Sequence, residues 1–343
     1  MKQGDCNVQT AWQESVRAMV HERVNGSEGL CLHATVNKLP KAGEVSVRIQ
    51  TAGLNHRDLF IMKERRDLER SVVLGSDGAG VVAAVGEGIE HIQVGDEVII
   101  HPTLNWTRTN EMPQILDILG YPSDGTFAEY VVVPVTCIEK KPAYLTWEEA
   151  GVLPLAALTA YRALFTRGEL ISGEHVLITG IGGGVATYAL MMAKAAGAKV
   201  TVTSRSEEKR LRALGLGADR VLASDCDWSE SLHGEPVNLI IDSIGPAVFT
   251  QFLQVLAPGG RVVQFGRSSG DKVEISLSTL FRNQYSILAT SMGSAEEFCE
   301  MLQYIETHRI RPVIDKIYPL EQAVQAFKRM EAGEQFGNIG LKM

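Results

Sequence analysis

Apolar positions change their spacing along the chain. Over the first 145 residues they alternate in short stretches. Val45, Val47 and Ile49 alternate with Ser46, Arg48 and Gln50, the period of a half-buried strand. Gly78–Gly86 reads as a small-residue strand ending in a glycine turn, and Asp96–His101 and Tyr130–Pro134 read as two more. Glycine punctuates these runs, which favours a compact barrel-like β domain. The pattern turns near Leu145. Thr146 and Glu149 have the spacing of a capping box, so a helix is expected to follow. From Glu174 onward apolar runs alternate with helix-like segments. His175–Thr179 is almost continuously apolar, as expected of a strand buried on both faces. Lys199–Ser204, Asn238–Asp242, Arg261–Gly266 and the late strand Tyr285–Thr290 follow. This alternation implies βαβ units and a parallel sheet. Beyond Thr290, Ser294 and Glu297 form a second capping box, another helix begins at Pro319, and Gly337–Met343 reads as a terminal strand.

Composition narrows the picture. The length of 343 residues suggests two domains, and 45% apolar content is enough for a core. Lys plus Arg is 33 and Asp plus Glu 41, a net charge of −8, which argues against nucleic acid and anionic membrane surfaces as partners. Cys6, Cys31, Cys137, Cys226 and Cys299 are odd in number and widely spaced, so they form neither a disulfide framework nor a C-x-x-C site. No apolar run reaches the ~18 residues of a membrane span. Met1–Ser15 lacks the apolar core of a signal peptide, so the expectation is a cytoplasmic protein.

The strand ending at Thr179 runs into Gly180-Ile-Gly182-Gly183-Gly184-Val185-Ala186, followed by a small-residue helix. Such a loop permits a tight turn and close approach of a pyrophosphate to the helix N-terminus. The strict G-x-G-x-x-G spacing is not met, since Val185 stands at the third glycine. Read as Gly180-x-x-Gly183-x-x-Ala186, small residues remain where the backbone must come close. The strand–loop–helix context is the one dinucleotide binding requires. At the end of the second strand an NAD site wants an acid for the ribose hydroxyls. Here stand Ser204, Arg205 and, one turn on, Lys209. A hydroxyl and two cations suit a 2′-phosphate, so NADP(H) is expected. Ser243, Phe265 and Gly266, at the ends of the next two strands, complete the expected cofactor contacts.

Over nearly its whole length the chain resembles the medium-chain dehydrogenase/reductase superfamily. The resemblance rests on Ala52-Gly-Leu-Asn-His-Arg-Asp58, Leu74-Gly-Ser-Asp-Gly-Ala-Gly80, Val94-Gly-Asp-Glu-Val98, Gly125-Thr-Phe-Ala-Glu-Tyr130, the glycine loop, and Phe336-Gly-Asn-Ile. It implies an α/β protein in which a GroES-like β-rich catalytic domain is interrupted by a Rossmann cofactor domain with a doubly wound parallel sheet. The expected division is 1–154 catalytic, 155–292 cofactor-binding and 293–343 catalytic again. It also implies a homodimer or homotetramer, with the strand near Tyr285–Thr290 as the contact.

Zinc members of the superfamily hold a catalytic metal through Cys, His and a third ligand. The matching positions here are Asn55, Ser76 and either Pro154 or Leu155, a poor set for Zn²⁺. His101–Asp124, which corresponds to a four-cysteine structural lobe, has no Cys. His56 and His101 are the nearby alternatives as ligands. The Gly53-Leu-Asn55-x-x-Asp58 form looks like the zinc-less quinone oxidoreductase branch, in which Asn55, Asp58 and Thr159 would lie near the nicotinamide. Phe60 stands where a Tyr is common, and Asn338 where a phosphate-binding Lys is common.

Without a metal to acidify an alcohol, hydride addition to an activated double bond is the easier reaction. The expectation is an NADPH-dependent, zinc-independent reductase of quinones or α,β-unsaturated carbonyls. Asn55 is the amide donor, Asp58 its orienting partner or a local turn residue, and Arg57, Ser76 and Tyr121 are further candidates for oxyanion contact or proton supply. The alternatives are a metal-free aldehyde or ketone reductase and a non-catalytic NADPH-binding protein. Trp106, Met112, Ile115 and Leu116 read either as the apolar lining of a substrate pocket or as their loop's own miniature core.

Overall fold

The structure is a computed structural model and describes residues 15–343. Cys6 and all but the last residue of the leading polar stretch lie outside the described residues. Six parallel strands form one sheet. In spatial order they are Arg220–Leu222, Lys199–Thr203, His175–Ile178, Val237–Asp242, Leu256–Gln264 and Ser286–Ala289. Counted along the chain this is 3-2-1-4-5-6, the doubly wound order, with its switch point between His175–Ile178 and Val237–Asp242. Val176, Leu177, Ile178, Leu239, Ile240 and Ile241 have no exposed surface, which accounts for their unbroken apolar runs.

A seven-stranded sheet is built around Glu44–Gly53. One edge of that strand pairs with Ala79–Val85. The other is shared by Tyr130–Pro134, along residues 44–48, and by the terminal strand Asn338–Lys342, along 51–53. The chain's end thus rejoins its beginning across the parallel sheet. Glu97–Ile100, Ile138–Lys140 and Ile314–Pro319 complete this sheet. A third, small sheet joins Leu30–Val36, Ser15–His21 and Val72–Val73.

Both capping boxes form. Thr146 Oγ1 accepts the Glu149 N–H at 3.2 Å while Glu149 Oε2 accepts the Thr146 N–H at 2.9 Å. Ser294 and Glu297 do the same at 3.2 and 2.9 Å. Three departures stand out, two of them with a physical reason. Ser46 breaks the expected alternation by being fully buried, because its short side chain lies between Ala84 and Val132 on the flanking strands. The strand Leu256–Gln264 starts five residues before the apolar run, through Pro258, Gly259 and Gly260; the register shift at Val237–Leu239 absorbs the irregularity. Helix Pro154–Tyr161 continues as a π-helix, Arg162–Arg167, which spacing alone does not disclose.

Candidate active site

The glycine loop lies at the switch point. Gly180 (φ +65°) and Gly182 (φ +132°) occupy the left-handed region that side chains resist. Gly183 caps helix Gly184–Ala195, and a Cβ there would meet nothing within 4 Å. The first-turn N–H groups, including those of Gly184 and Val185, have no intrahelical acceptor. An open, donor-rich cradle of this kind fits a dinucleotide pyrophosphate.

Across the crevice, Thr179 Oγ1 donates to Asp242 Oδ1 at 2.5 Å, and Asp242 also accepts from the N–H groups of Ile244 (3.0 Å) and Gly245 (2.8 Å). Asp242 is fully buried and pins the two central strand ends together. Ser243 and Gly266 approach so closely that a Cβ on Gly266 would lie 2.8 Å from the Ser243 carbonyl oxygen, and Phe265 N–H bonds the Asp242 carbonyl. All three expected contacts therefore gather at this crevice.

Ser204 is buried, its hydroxyl accepting from the Ser206 N–H at 3.2 Å, while Arg205 beside it is exposed. Lys209 departs from its expected partnership with them. It folds over Gly182, and its Nζ donates to the Gly333 carbonyl at 2.6 Å. It therefore lies over the glycine loop and not beside Ser204 and Arg205. Opposite stands His56, solvent-accessible but enclosed by the cleft walls. Partial loss of hydration lowers its pKa, and the Lys209 charge lowers it further. His56 entered the sequence reading only as a spare metal ligand. Asn338 abuts the helix start at Gly184 and donates to the Val313 carbonyl at 3.0 Å; Gly337 N–H bonds the Gly182 carbonyl.

The candidate catalytic corner is built on the N-terminus of helix His56–Glu64. Asp58 Oδ2 accepts the Asn55 N–H at 2.8 Å, so Asp58 serves the local turn; its Oδ1 is buried without a partner. Asp77 orients the Asn55 side chain instead. Its Oδ2 accepts from Asn55 Nδ2 at 2.8 Å, and its Oδ1 from the Leu155 N–H at 2.7 Å. Burial pushes the Asp77 carboxyl up to about 7 and that of Asp58 up to about 6. Asp77 was missed in the sequence, although it follows Ser76 in a quoted motif. Thr159 is buried in the helix that begins beside Leu155.

Arg57 donates to Ser76 Oγ (2.6 Å), the Leu119 carbonyl (3.0 Å) and the Tyr121 carbonyl (3.0 Å). Ser76 in turn donates to the Leu119 carbonyl at 2.7 Å. Its one hydrogen is spent, so Ser76 braces the corner and offers nothing to an oxyanion. The Tyr121 hydroxyl faces Asp67 at 3.4 Å. At the three positions that match the zinc ligands, Asn55 donates to Asp77, Ser76 accepts from Arg57 and Leu155 has no side-chain donor atom, a set poorly suited to zinc. His101 is buried against Phe298, its Nε2 3.2 Å from the Gly293 carbonyl and its pKa pushed down to about 4 by burial. Of the expected pocket-lining residues, Trp106 is buried with its Nε1 donating to the Arg108 carbonyl, whereas Met112 and Ile115 are exposed. That loop caps helix Ala295–Thr307 through the Trp106 and Thr107 carbonyls.

Comparison with known proteins identifies the family. Residues 41–143 match the alcohol dehydrogenase GroES-like domain, and residues 184–307 match the zinc-binding dehydrogenase family. A zinc-type alcohol dehydrogenase-like protein of Schizosaccharomyces pombe is 33% identical over 96% of this chain and 99% of its own. The acryloyl-coenzyme A reductase of Metallosphaera sedula is 31% identical over 88% of this chain and 92% of its own. The crystal structure of an NAD-dependent alcohol dehydrogenase superposes with a TM-score of 0.90 at 34% identity, covering 95% of this chain and 99% of that one. Among the described residues no helix is long and apolar enough to cross a membrane. The chain belongs to the medium-chain dehydrogenase/reductase superfamily of nicotinamide-dependent oxidoreductases.

Proposed function

We propose that the chain is an NADPH-dependent, zinc-independent reductase acting on a double bond conjugated to a carbonyl, in an enone, an enoyl thioester or a quinone. The observation that carries this reading is the Asn55–Asp77 pair beside the Ser76–Arg57 pair. Asn55 and Ser76, which the resemblance matches to zinc-ligand positions, are held instead as an amide donor on Asp77 and a hydroxyl braced by Arg57. Bound NADPH supplies the hydride. Asp77 takes one Asn55 amide hydrogen, leaving the second for the oxygen on which negative charge grows as an enolate forms. Arg57 adds positive charge nearby, which favours that anion.

An open groove of about 580 Å³ lies on the Arg57 side of this corner, and Arg57 is the corner residue that lines it. Phe60, Ile61 and Tyr121 supply its apolar surface, and the rest of its lining is charged: Arg57, Glu64, Arg65, Arg66 and Asp67. The acryloyl-coenzyme A reductase relative acts, by its name, on a conjugated acceptor. The alcohol dehydrogenase relatives favour a second reading, aldehyde or ketone reduction. NADPH preference rests on Ser204 and Arg205. The domain division 1–154, 155–292 and 293–343 is supported by where the two large sheets draw their strands. A homodimer or homotetramer is supported by the outer edge of the parallel sheet, where Ile287, Leu277 and Phe281 are exposed.

The test is turnover of a panel of quinones, enones, enoyl thioesters, aldehydes and alcohols with NADPH and NADH, before and after chelation. Conjugated acceptors are expected to turn over fastest, with NADPH, and without chelator sensitivity. Alcohol oxidation abolished by chelator would sink the proposal. Asn55→Ala is expected to lower kcat/KM by about 10²-fold, the usual loss for one oxyanion donor.

A further inference from the structure

Outside the cleft, among the described residues, one cluster brings together three different metal-binding side chains. We infer that Glu22, Cys31 and His33 form a surface site for a divalent transition metal, with Zn²⁺ the best-matched ion. The strand register assembles it. Cys31 pairs with Val20 and His33 with Ala18 across the small sheet, and directly opposed residues share a face. Cys31 and His33 are two residues apart, so they lie on the same face of their own strand. Glu22 continues the alternation of Ala18 and Val20 just past the end of Ser15–His21. The thiol, imidazole and carboxylate ligand atoms all lie within 4.8 Å of one another, and Glu22 Oε1 is 3.3 Å from His33 Nε2.

The donor chemistry selects the ion. Thiolate, imidazole and carboxylate are the ligands Zn²⁺ takes, with bonds of about 2.0–2.3 Å. A hard cation such as Mg²⁺ prefers oxygen alone. Tetrahedral zinc needs its ligand atoms roughly 3–4 Å apart, so small rotations of the exposed Cys31 and His33 complete the geometry. The third ligand is already aimed, because Glu22 Oε2 accepts from Ser71 Oγ at 2.6 Å and leaves Oε1 toward His33. Ala18, Val20, Ala128 and Val73 form an apolar patch on the same face, which keeps water from one side. Arg23, 3.7 Å from Glu22 Oε1, is the neighbouring cation among the described residues, and its side chain is 85% exposed and free to swing away. Three protein ligands leave the fourth position to water.

None of these residues touches the glycine loop or the Asn55 corner, so metal binding and turnover are separable. The full chain, stripped with chelator and kept reduced, is titrated with Co²⁺ and then Zn²⁺ against a competing chromophoric chelator. We expect one ion per chain, a thiolate-to-cobalt charge-transfer band, and protection of Cys31 from a thiol reagent by Zn²⁺. Cys31→Ser and His33→Ala, both at exposed positions that leave folding intact, are each expected to abolish the band and weaken binding about tenfold or more, with kcat/KM unchanged. Absence of the band in the parent protein, or its persistence in Cys31→Ser, overturns the site and leaves a His33–Glu22 ion pair beside an unrelated thiol.

Discussion

Asp77 is a carboxyl sealed from water, and its neighbours decide how it behaves. Burial raises its pKa to about 7, held back by the hydrogen bonds from Asn55 and Leu155. Above that pH the carboxylate fixes the Asn55 amide; below it a protonated Asp77 holds that amide more weakly. kcat/KM is therefore expected to fall on the acid side with an apparent pKa near 7, and Asp77→Asn to flatten that limb in a pH–rate profile. The same shift bears on stability. Asp58 and Asp77 both titrate above the ordinary carboxyl value, so the folded chain keeps protons that the unfolded chain releases between about 4 and 7. Their stabilising contribution is full below about pH 4 and is lost as the pH rises through the folded values. Thermal melts should accordingly show a smaller Tm difference between acid and neutral pH in Asp77→Asn than in the parent. Arg205 gives the second prediction at this scale. Arg205→Glu is expected to raise the KM for NADPH by about ten- to a hundredfold, the loss of a charge-assisted contact, and to leave that for NADH nearly unchanged. An equal rise for both cofactors would remove the case for 2′-phosphate recognition.

Helix Ala295–Thr307 and the π-helical turn Arg162–Arg167 meet through a buried ion pair. Arg162 Nη1 donates to both Glu297 carboxylate oxygens at 2.5 Å, Thr166 adds a hydrogen bond at 2.6 Å, and the guanidinium lies 4.6 Å from the centre of the Trp106 ring. Glu297 thus has two jobs. As a capping-box residue it was legible, because Ser294 lies three positions before it. As the counter-ion of Arg162 it was not, because that partner is 135 positions away. Removing the carboxylate leaves the Arg162 charge buried and uncompensated. Glu297→Ala is expected to cost about 3–5 kcal/mol, and Glu297→Gln less, measured by denaturant unfolding. The Trp106 loop illustrates the same limit. Its apolar residues are compatible with a pocket or with a local core, and composition does not separate the two. The tertiary structure folds Trp106 under Arg162 and leaves Met112 and Ile115 in solvent.

At the scale of the whole molecule, the outermost parallel strand Ser286–Ala289 has an unpaired edge among the described residues, with Leu277, Phe281 and Ile287 exposed near it. Exposed apolar groups along a sheet edge favour a second copy. Sedimentation equilibrium of the parent should report a dimer or tetramer, and Phe281→Arg should shift it toward monomer; a monomeric parent would end that proposal. By itself the sequence determined the two periodicities, the strand–glycine–helix unit and both capping boxes. These are local properties, written in spacing and residue type over a few positions. The tertiary structure alone decided that Asp77 orients Asn55, that the Leu119 carbonyl takes the Ser76 hydrogen, that Lys209 covers Gly182, and that Asp242 ties the two central strands. Each of these is a contact between distant segments, and its strength comes from burial: a buried polar group must find a partner, and chain topology decides which partners are within reach.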